Sequence, residues 1–282
     1  MQIDRIKNTQ KTIGSVVVNA ILWLFSFTCV FPIFWMLYSS IKSQKEFALN
    51  SVGLPTELHF ENFAIAIEEG KLGTYFMNSL VNTVITVVFA IVLAFFIGYC
   101  LSRFKFKGRN VLYYFFLAGM LIPIYALLIP IFLEFKSIGL INKRISLILP
   151  YIAFAMPVGV FLIESFVKGI PVDMEEAACI DGSGFLRTTF SIIMPMCMPV
   201  LSTISILTFL GTWNEFPLAL VLVRSTRLKT IPIGLTNFIG TYTVDYPLMF
   251  AAMVISTLPV IIVYLIFFNR IMEGMVSGAV KG

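Results

Sequence analysis

The chain has 282 residues, 59% of them hydrophobic and only 12% charged. A soluble domain carries about 25% charged residues, so lipid must be part of this chain's solvent. The net charge of +5 is modest and spread along the chain, which argues against a nucleic-acid binder, and the single histidine, His59, leaves no histidine cluster for a metal.

A hydrocarbon core of about 30 Å needs about 20 apolar helical residues, and only a helix satisfies its own backbone in lipid. Six stretches qualify, at roughly 14–38, 75–101, 111–133, 146–167, 198–223 and 247–269. Arg5, Lys7 and Lys11 precede the first. It exceeds the 7–15 apolar residues of a secretory signal and no small-x-small cleavage site follows, so it reads as an uncleaved span containing Pro32. A long polar segment, 39–74, carries His59, Glu68, Glu69 and Lys71. The second span holds Asn78 and Asn82 one turn apart, either lining a pathway or bonding a neighbouring helix. Arg103, Lys105, Lys107 and Arg109 crowd the short connection after it. Pro123 and Pro130 in the third span, and Pro150 and Pro157 in the fourth, predict kinks. Glu134 and Lys136 read as interfacial, and Glu164 as snorkelling or pairing with Lys168 four residues on.

The fifth span contains Trp213, Asn214 and Glu215. A charged group inside a span is a functional candidate by default. These three either meet a substrate, through a carboxylate, an amide and an aromatic face, or bond the bundle together. A further polar segment, 224–246, carries Arg224, Arg227, Lys229 and Asp245. Cys29, Cys100, Cys179 and Cys197 show no CxxC spacing and read as small packing residues in a reducing setting. With no internal repeat and no low-complexity tail, residues 1–282 are expected to form one transmembrane domain, all-α, with six helices.

Six spans put both termini on one side. The Lys and Arg residues divide almost evenly between the two sides, so the dense run Arg103–Arg109 decides: short basic loops stay inside, and both termini are expected in the cytoplasm.

Residues 168–197 then form a long inner loop. Asp173 is expected to cap a helix, with Glu176 bonding back to it. Glu175 and Glu176 suit the first turn, where the helix dipole favours anions. Ala177 and Ala178 give a shallow face that another protein can approach closely. Gly182 suits the left-handed residue that ends a helix. Ser183 is expected to cap a second short helix through Phe185, Leu186, Phe190, Ile192 and Ile193, and Pro195 marks the start of the next span. The whole reads as a helix–turn–helix whose exposed Phe185 or Leu186 calls for a docked partner.

The spacing Glu176-Ala-Ala-x3-Gly182-x9-Ile192-x-Met194-Pro195 resembles the E-A-A-x3-G-x9-I-x-L-P coupling-loop signature of bacterial ABC-importer permeases, departing only at Met194. Leu101–Arg109 resembles the basic turn after the second span of carbohydrate permeases. Gly211-Thr-Trp-Asn-Glu-Phe216 resembles their G-[ST]-W-N-[DE]-F segment, and Gly278-Ala-Val-Lys-Gly282 their usual ending. Together these resemble the smaller six-span subunit of maltose-type permeases.

The resemblance implies a subunit of the bacterial cytoplasmic membrane, lying in lipid. Its implied partners are a second permease, a pair of ATPase subunits and an extracytoplasmic sugar-binding protein, and no nucleic acid. Glu176, Ala177, Ala178, Asp181, Gly182 and Pro195 would meet the ATPase, with Glu176 facing a basic residue. The chain itself lacks G-x4-G-K-[ST], since its one Gly-Lys pair, Gly70-Lys71, is followed by Leu72. It is therefore expected to hold no cofactor and no catalytic site, with ATP and Mg on the partner ATPase. The implied function is import of a di- or oligosaccharide by alternating access. The alternative is an ion-coupled secondary transporter, which needs midplane ionisable residues or broken helices in paired halves.

Overall fold

The computed structural model describes residues 2–240 and 244–279, with side chains described for 14–240 and 244–268. The side chains of Arg5, Lys7 and Lys11, and the last three residues of the Gly278–Gly282 ending, lie outside the described residues. Among the described residues the regular structure is helical apart from an isolated bridge between Ile239 and Val244.

The helices in chain order are α1 (Gln2–Ser39), α2 (Gln44–Leu49), α3 (Glu61–Glu68), α4 (Leu72–Arg103), α5 (Arg109–Gly119), α6 (Ile124–Ser137) and α7 (Ile145–Lys168). Then come α8 (Asp173–Ile180), α9 (Phe185–Thr188), α10 (Met194–Met196), α11 (Met198–Trp213), α12 (Pro217–Leu222), α13 (Ile231–Leu235) and α14 (Tyr246–Ala279). Among the described residues four helices are long and apolar enough to cross a membrane, and up to six spans result if each of two bent pairs counts as one.

The chain divides into two compact units. In the first, Met1–Gly70 with Phe238–Ile255, α1 is apolar over Gly14–Ser39 and presents Trp23 and Leu24 outward, as a lipid-solvated span does. The polar segment after it is not an irregular loop. Ser43 caps α2, its Oγ accepting from the Glu46 amide at 3.1 Å. Asn62 of α3 donates to the carbonyls of Ser40 and Lys42. Lys42 itself is buried, donating to the Asn50 carbonyl at 2.9 Å beside the Tyr38 ring. Trp35, Phe47, Tyr246 and Phe250 stack this region together, with ring centroids 5.0–6.1 Å apart for Trp35 against Phe250 and Phe47.

The second unit, Lys71–Asn237 with Ser256–Gly282, is built on the crossing of α4 and α7. Lipid tails are as apolar as leucine, so helices there gain by close approach through small residues. Ala90, Ala94 and Gly98, each one turn from the next, are such a stripe. A Cβ added at Gly98 would lie 2.7 Å from the Ile163 side chain, and one at Gly159 would lie 2.8 Å from Ala94 Cβ. Around this crossing one apolar cluster gathers Phe95, Tyr99, Ile163, Ile193, Leu201 and Ile204, and another gathers Phe135, Leu147, Tyr151, Leu218 and Leu222.

Two expected spans are interrupted. The stretch expected as one helix over 111–133 is α5 and α6, which meet at 103°. Pro123 lacks an N–H and disfavours helical geometry at Ile122, so the chain turns at Met120–Pro123. By contrast Pro32, Pro130, Pro150 and Pro157 are carried inside helices. The stretch expected over 198–223 ends at Trp213 and resumes at Pro217 as α12. Its preceding helical segment, Phe185–Met196, meets α11 at 74°, with Pro199 opening α11 after Cys197.

Candidate functional site

The segment from α8 to α10 is ordered from within. α8 begins after Val172, and Asp173 occupies its first position, not the cap: no side chain caps this end. The expected Asp173–Glu176 capping box is therefore corrected, because Val172 already has helical φ and ψ and its carbonyl accepts from the Glu175 and Glu176 amides. At the far end the Gly182 amide donates to the Cys179 carbonyl and the Ser183 amide to the Ala178 carbonyl. That pair of bonds ends a helix only with a left-handed residue between, and Gly182 has φ +77°. The expected Ser183 cap is likewise corrected: Gly184 is the N-cap of α9, in extended geometry, and no side chain caps it. From Phe185 the chain stays helical to Met196, passing through a π segment at Thr189–Ile193.

The two adjacent glutamates point to different surroundings. Glu176 and Ala177 are exposed, Ala178 is buried and Asp181 is exposed at the turn. Ile180 and Leu186 stand 86% and 64% exposed, a bare apolar pair beside the turn. Pro195 is exposed in α10, two residues before the bend at Cys197. Glu175 instead turns to its own chain. It accepts from Tyr99 Oη at 2.8 Å and from Arg103 Nε at 2.5 Å, both on the last turns of α4. Arg103 Nη2 also donates to the Ile170 carbonyl at 2.8 Å. Another carboxylate, Glu164, is buried, pairs with Lys168 and lies 3.9 Å from Arg109. The Glu164–Lys168 pair was expected, but sequence reasoning took Arg103 and Arg109 only as topology signals and missed their pairing with Glu175 and Glu164. The signal available was an acidic first turn facing the densest basic run.

The residues expected along a pathway divide. Asn78 and Asn82 are brought together on one guanidinium: Arg144 Nη2 donates to Asn78 Oδ1 at 2.8 Å and Nη1 to Asn82 Oδ1 at 3.0 Å. Asn78 also donates to the Arg227 and Lys229 carbonyls, tying α4 to the segment after α12. Trp213 is only 2% exposed, packed against Phe76 and Phe209, with its Nε1 donating to the Ser256 carbonyl. Asn214 is exposed at the end of α11.

Glu215 occupies the gap between α11 and α12. Its carboxylate accepts from the Leu218 and Ala219 amides at 2.6 and 3.1 Å, capping α12, and from Tyr151 Oη at 2.6 Å. It lines an open cavity of about 420 Å³ with Tyr151, Thr208, Gly211, Thr212 and apolar residues of α7 and α11. The arrangement can present a carboxylate and hydroxyls to a polar solute without losing the fold of the helix break.

Residues 87–276 match the model of a family described as the binding-protein-dependent transport system inner membrane component. The chain is 35% identical over 265 residues to the diacetylchitobiose uptake system permease protein NgcG of Streptomyces coelicolor, covering 93% of this chain and 88% of that protein. It is 31% identical over 279 residues to the arabinooligosaccharides transport system permease protein AraQ of Bacillus subtilis, covering 97% and 98%. In fold it is similar to a chain of a bacterial ABC transporter involved in the import of the acidic polysaccharide alginate. The TM-score there is 0.79 at 23% identity, over 92% of this chain and 96% of that one.

Proposed function

The chain belongs to the family of binding-protein-dependent transport system inner membrane components, and from that premise we propose that it is one of two permease subunits of an ABC importer for di- or oligosaccharides. The relatives named for diacetylchitobiose and arabinooligosaccharides support that substrate class. The observation that carries the reading is the inner helix–turn–helix. It holds Glu176, Ala177, Asp181 and Ile180 outward while the Gly182 turn and Glu175 fix it to the rest of the chain. In this reading Glu176, Ala177, Asp181, Gly182 and Pro195 form the surface on which a separate ATPase subunit docks, and Ala178, expected on it, is instead buried beneath it. ATP and Mg bind that subunit, and this chain supplies no nucleotide site. Both termini are cytoplasmic and residues 1–282 act as one transmembrane domain in lipid.

The mechanism is alternating access. ATP closes the paired ATPase subunits, the docked loops move with them, and the spans expose a cavity shared with the second permease to the outside. An extracytoplasmic sugar-binding protein delivers the solute there, and hydrolysis reopens the inner side. Asn214 and Glu215 at the helix break meet the solute, while Trp213, Asn78 and Asn82 hold the bundle. Proteoliposomes carrying the complete importer should take up labelled oligosaccharide only with ATP inside and binding protein outside. Uptake that survives without ATP but collapses with the ion gradient would instead establish an ion-coupled transporter.

A further inference from the structure

A loop that is pushed by a partner transmits nothing unless it is fixed to a rigid element. Resting on the docking role given above, we infer that Arg103, Tyr99 and Glu175 are positioning residues that fasten the inner loop to α4, so that displacement of the loop becomes displacement of that span.

Three observations carry this. Glu175 lies in the first turn of α8, and both its carboxylate oxygens are taken by α4, one by Tyr99 and one by Arg103. Arg103 reaches the loop twice, since its Nη2 holds the Ile170 carbonyl where the loop begins. The second arm is held as well: Phe185, the first residue of α9, packs on Tyr99 and Phe104 with ring centroids 6.2 and 5.9 Å apart. Arg103 and Glu175 are 10% and 18% exposed, so solvent screens the pair weakly. A guanidinium fork on a carboxylate and a carbonyl fixes direction as well as distance, which a point charge does not.

The far end of the same helix is fastened too. α4 is a continuous helix of 32 residues, about 48 Å long at 1.5 Å per residue. Asn78 and Asn82, toward its beginning, hold Arg144 at the start of α7. Between these ends the Ala90, Ala94 and Gly98 stripe locks α4 on α7. A rigid rod tied at one end to the loop and at the other to Arg144 and the segment after α12 carries a push across the bilayer. The neighbouring Glu176 has a different task, because it faces outward and makes none of these bonds.

The test uses the complete importer, reconstituted with its binding protein, and reads three quantities: ATPase subunit retained on purification, ATP hydrolysed, and sugar imported per ATP. Glu175→Gln should retain the ATPase subunit and hydrolyse ATP, while sugar per ATP falls roughly tenfold, within the 5–150-fold range of coupling between sites. The losses of Arg103→Gln and Glu175→Gln should not add in the double variant, since both remove the one Arg103–Glu175 contact. Arg103→Lys should recover part of the loss, as it keeps the charge and forfeits the fork. Unchanged sugar per ATP in Glu175→Gln would overturn the inference. So would parallel loss of yield, ATPase retention and uptake in every variant, which marks a purely structural contact. A wild-type chain that retains no ATPase subunit would overturn the docking role itself and this inference with it.

Discussion

At the scale of single residues, neighbours in sequence have separate duties. Gly182 is required by geometry: at φ +77° an L side chain is strained whatever space surrounds it. Gly182→Ala should cost about 1–2 kcal/mol at the turn and lower uptake, read as reduced ATP-driven transport with the spans still inserted. Gly182→Pro should abolish transport, because proline cannot adopt positive φ. His59 offers a second reading in the polar segment 39–74. Its Nδ1 lies 2.6 Å from Glu61 Oε1, and that hydrogen bond raises the imidazole pKa above its ordinary value. A raised folded pKa means the contact's stabilisation is fully present below the unfolded value of about 6.5. It is lost as pH rises through the folded value. Since His59 is the one histidine of the chain, its ring signals in an NMR titration are unambiguous. They should titrate above the free value, and should return toward it in Glu61→Gln. The Gly182 turn was legible because few residues take positive φ. The helix starts were not: Asp173 and Ser183 are good caps by type, but the backbone entered the helix one residue earlier in the first case and one later in the second.

At the scale of elements, the six apolar stretches were legible because lipid demands about 20 apolar residues per crossing. Their continuity was not. Five prolines were read alike as kinks, yet Pro123 breaks its helix while Pro150 and Pro157 stay within α7. Burial does not separate them, since Pro32 and Pro130 are as exposed as Pro123 and are still carried inside helices. Likewise Glu215 was legible as an unusual charge, but its work as the cap of α12 follows from the break after Trp213, which nothing in the apolar pattern marks. The segment 39–74 was read only as polar, although Ser43 three residues before Glu46 was a usable helix-start signal. The α4–α7 crossing yields a prediction of its own. Gly98→Leu forces a side chain into space held by Ile163 and should destabilise by about 1–3 kcal/mol, seen as a lower Tm in detergent. Gly211→Ala, where a Cβ meets nothing within 4 Å, is the matched control and should leave Tm unchanged.

At the scale of the whole molecule, the account places the loop of α8 and α9 in the cytoplasm. Cys179 is exposed on that loop and serves as a native reporter. A membrane-impermeant maleimide should label it in inside-out vesicles and spare it in right-side-out vesicles, and the docked ATPase subunit should slow the labelling. Labelling from the outer face would reverse the topology and remove the loop from any ATPase. The central claim is more specific than topology: Glu176 faces outward to a separate ATPase subunit. Its most direct test is co-purification in mild detergent of wild type beside Glu176→Lys. The account predicts that wild type brings down an ATPase subunit and a second permease, and that Glu176→Lys keeps the permease and loses the ATPase. An ATPase retained equally by both would contradict the assigned contact, and none with either, in a detergent that preserves other complexes, would contradict the account as a whole.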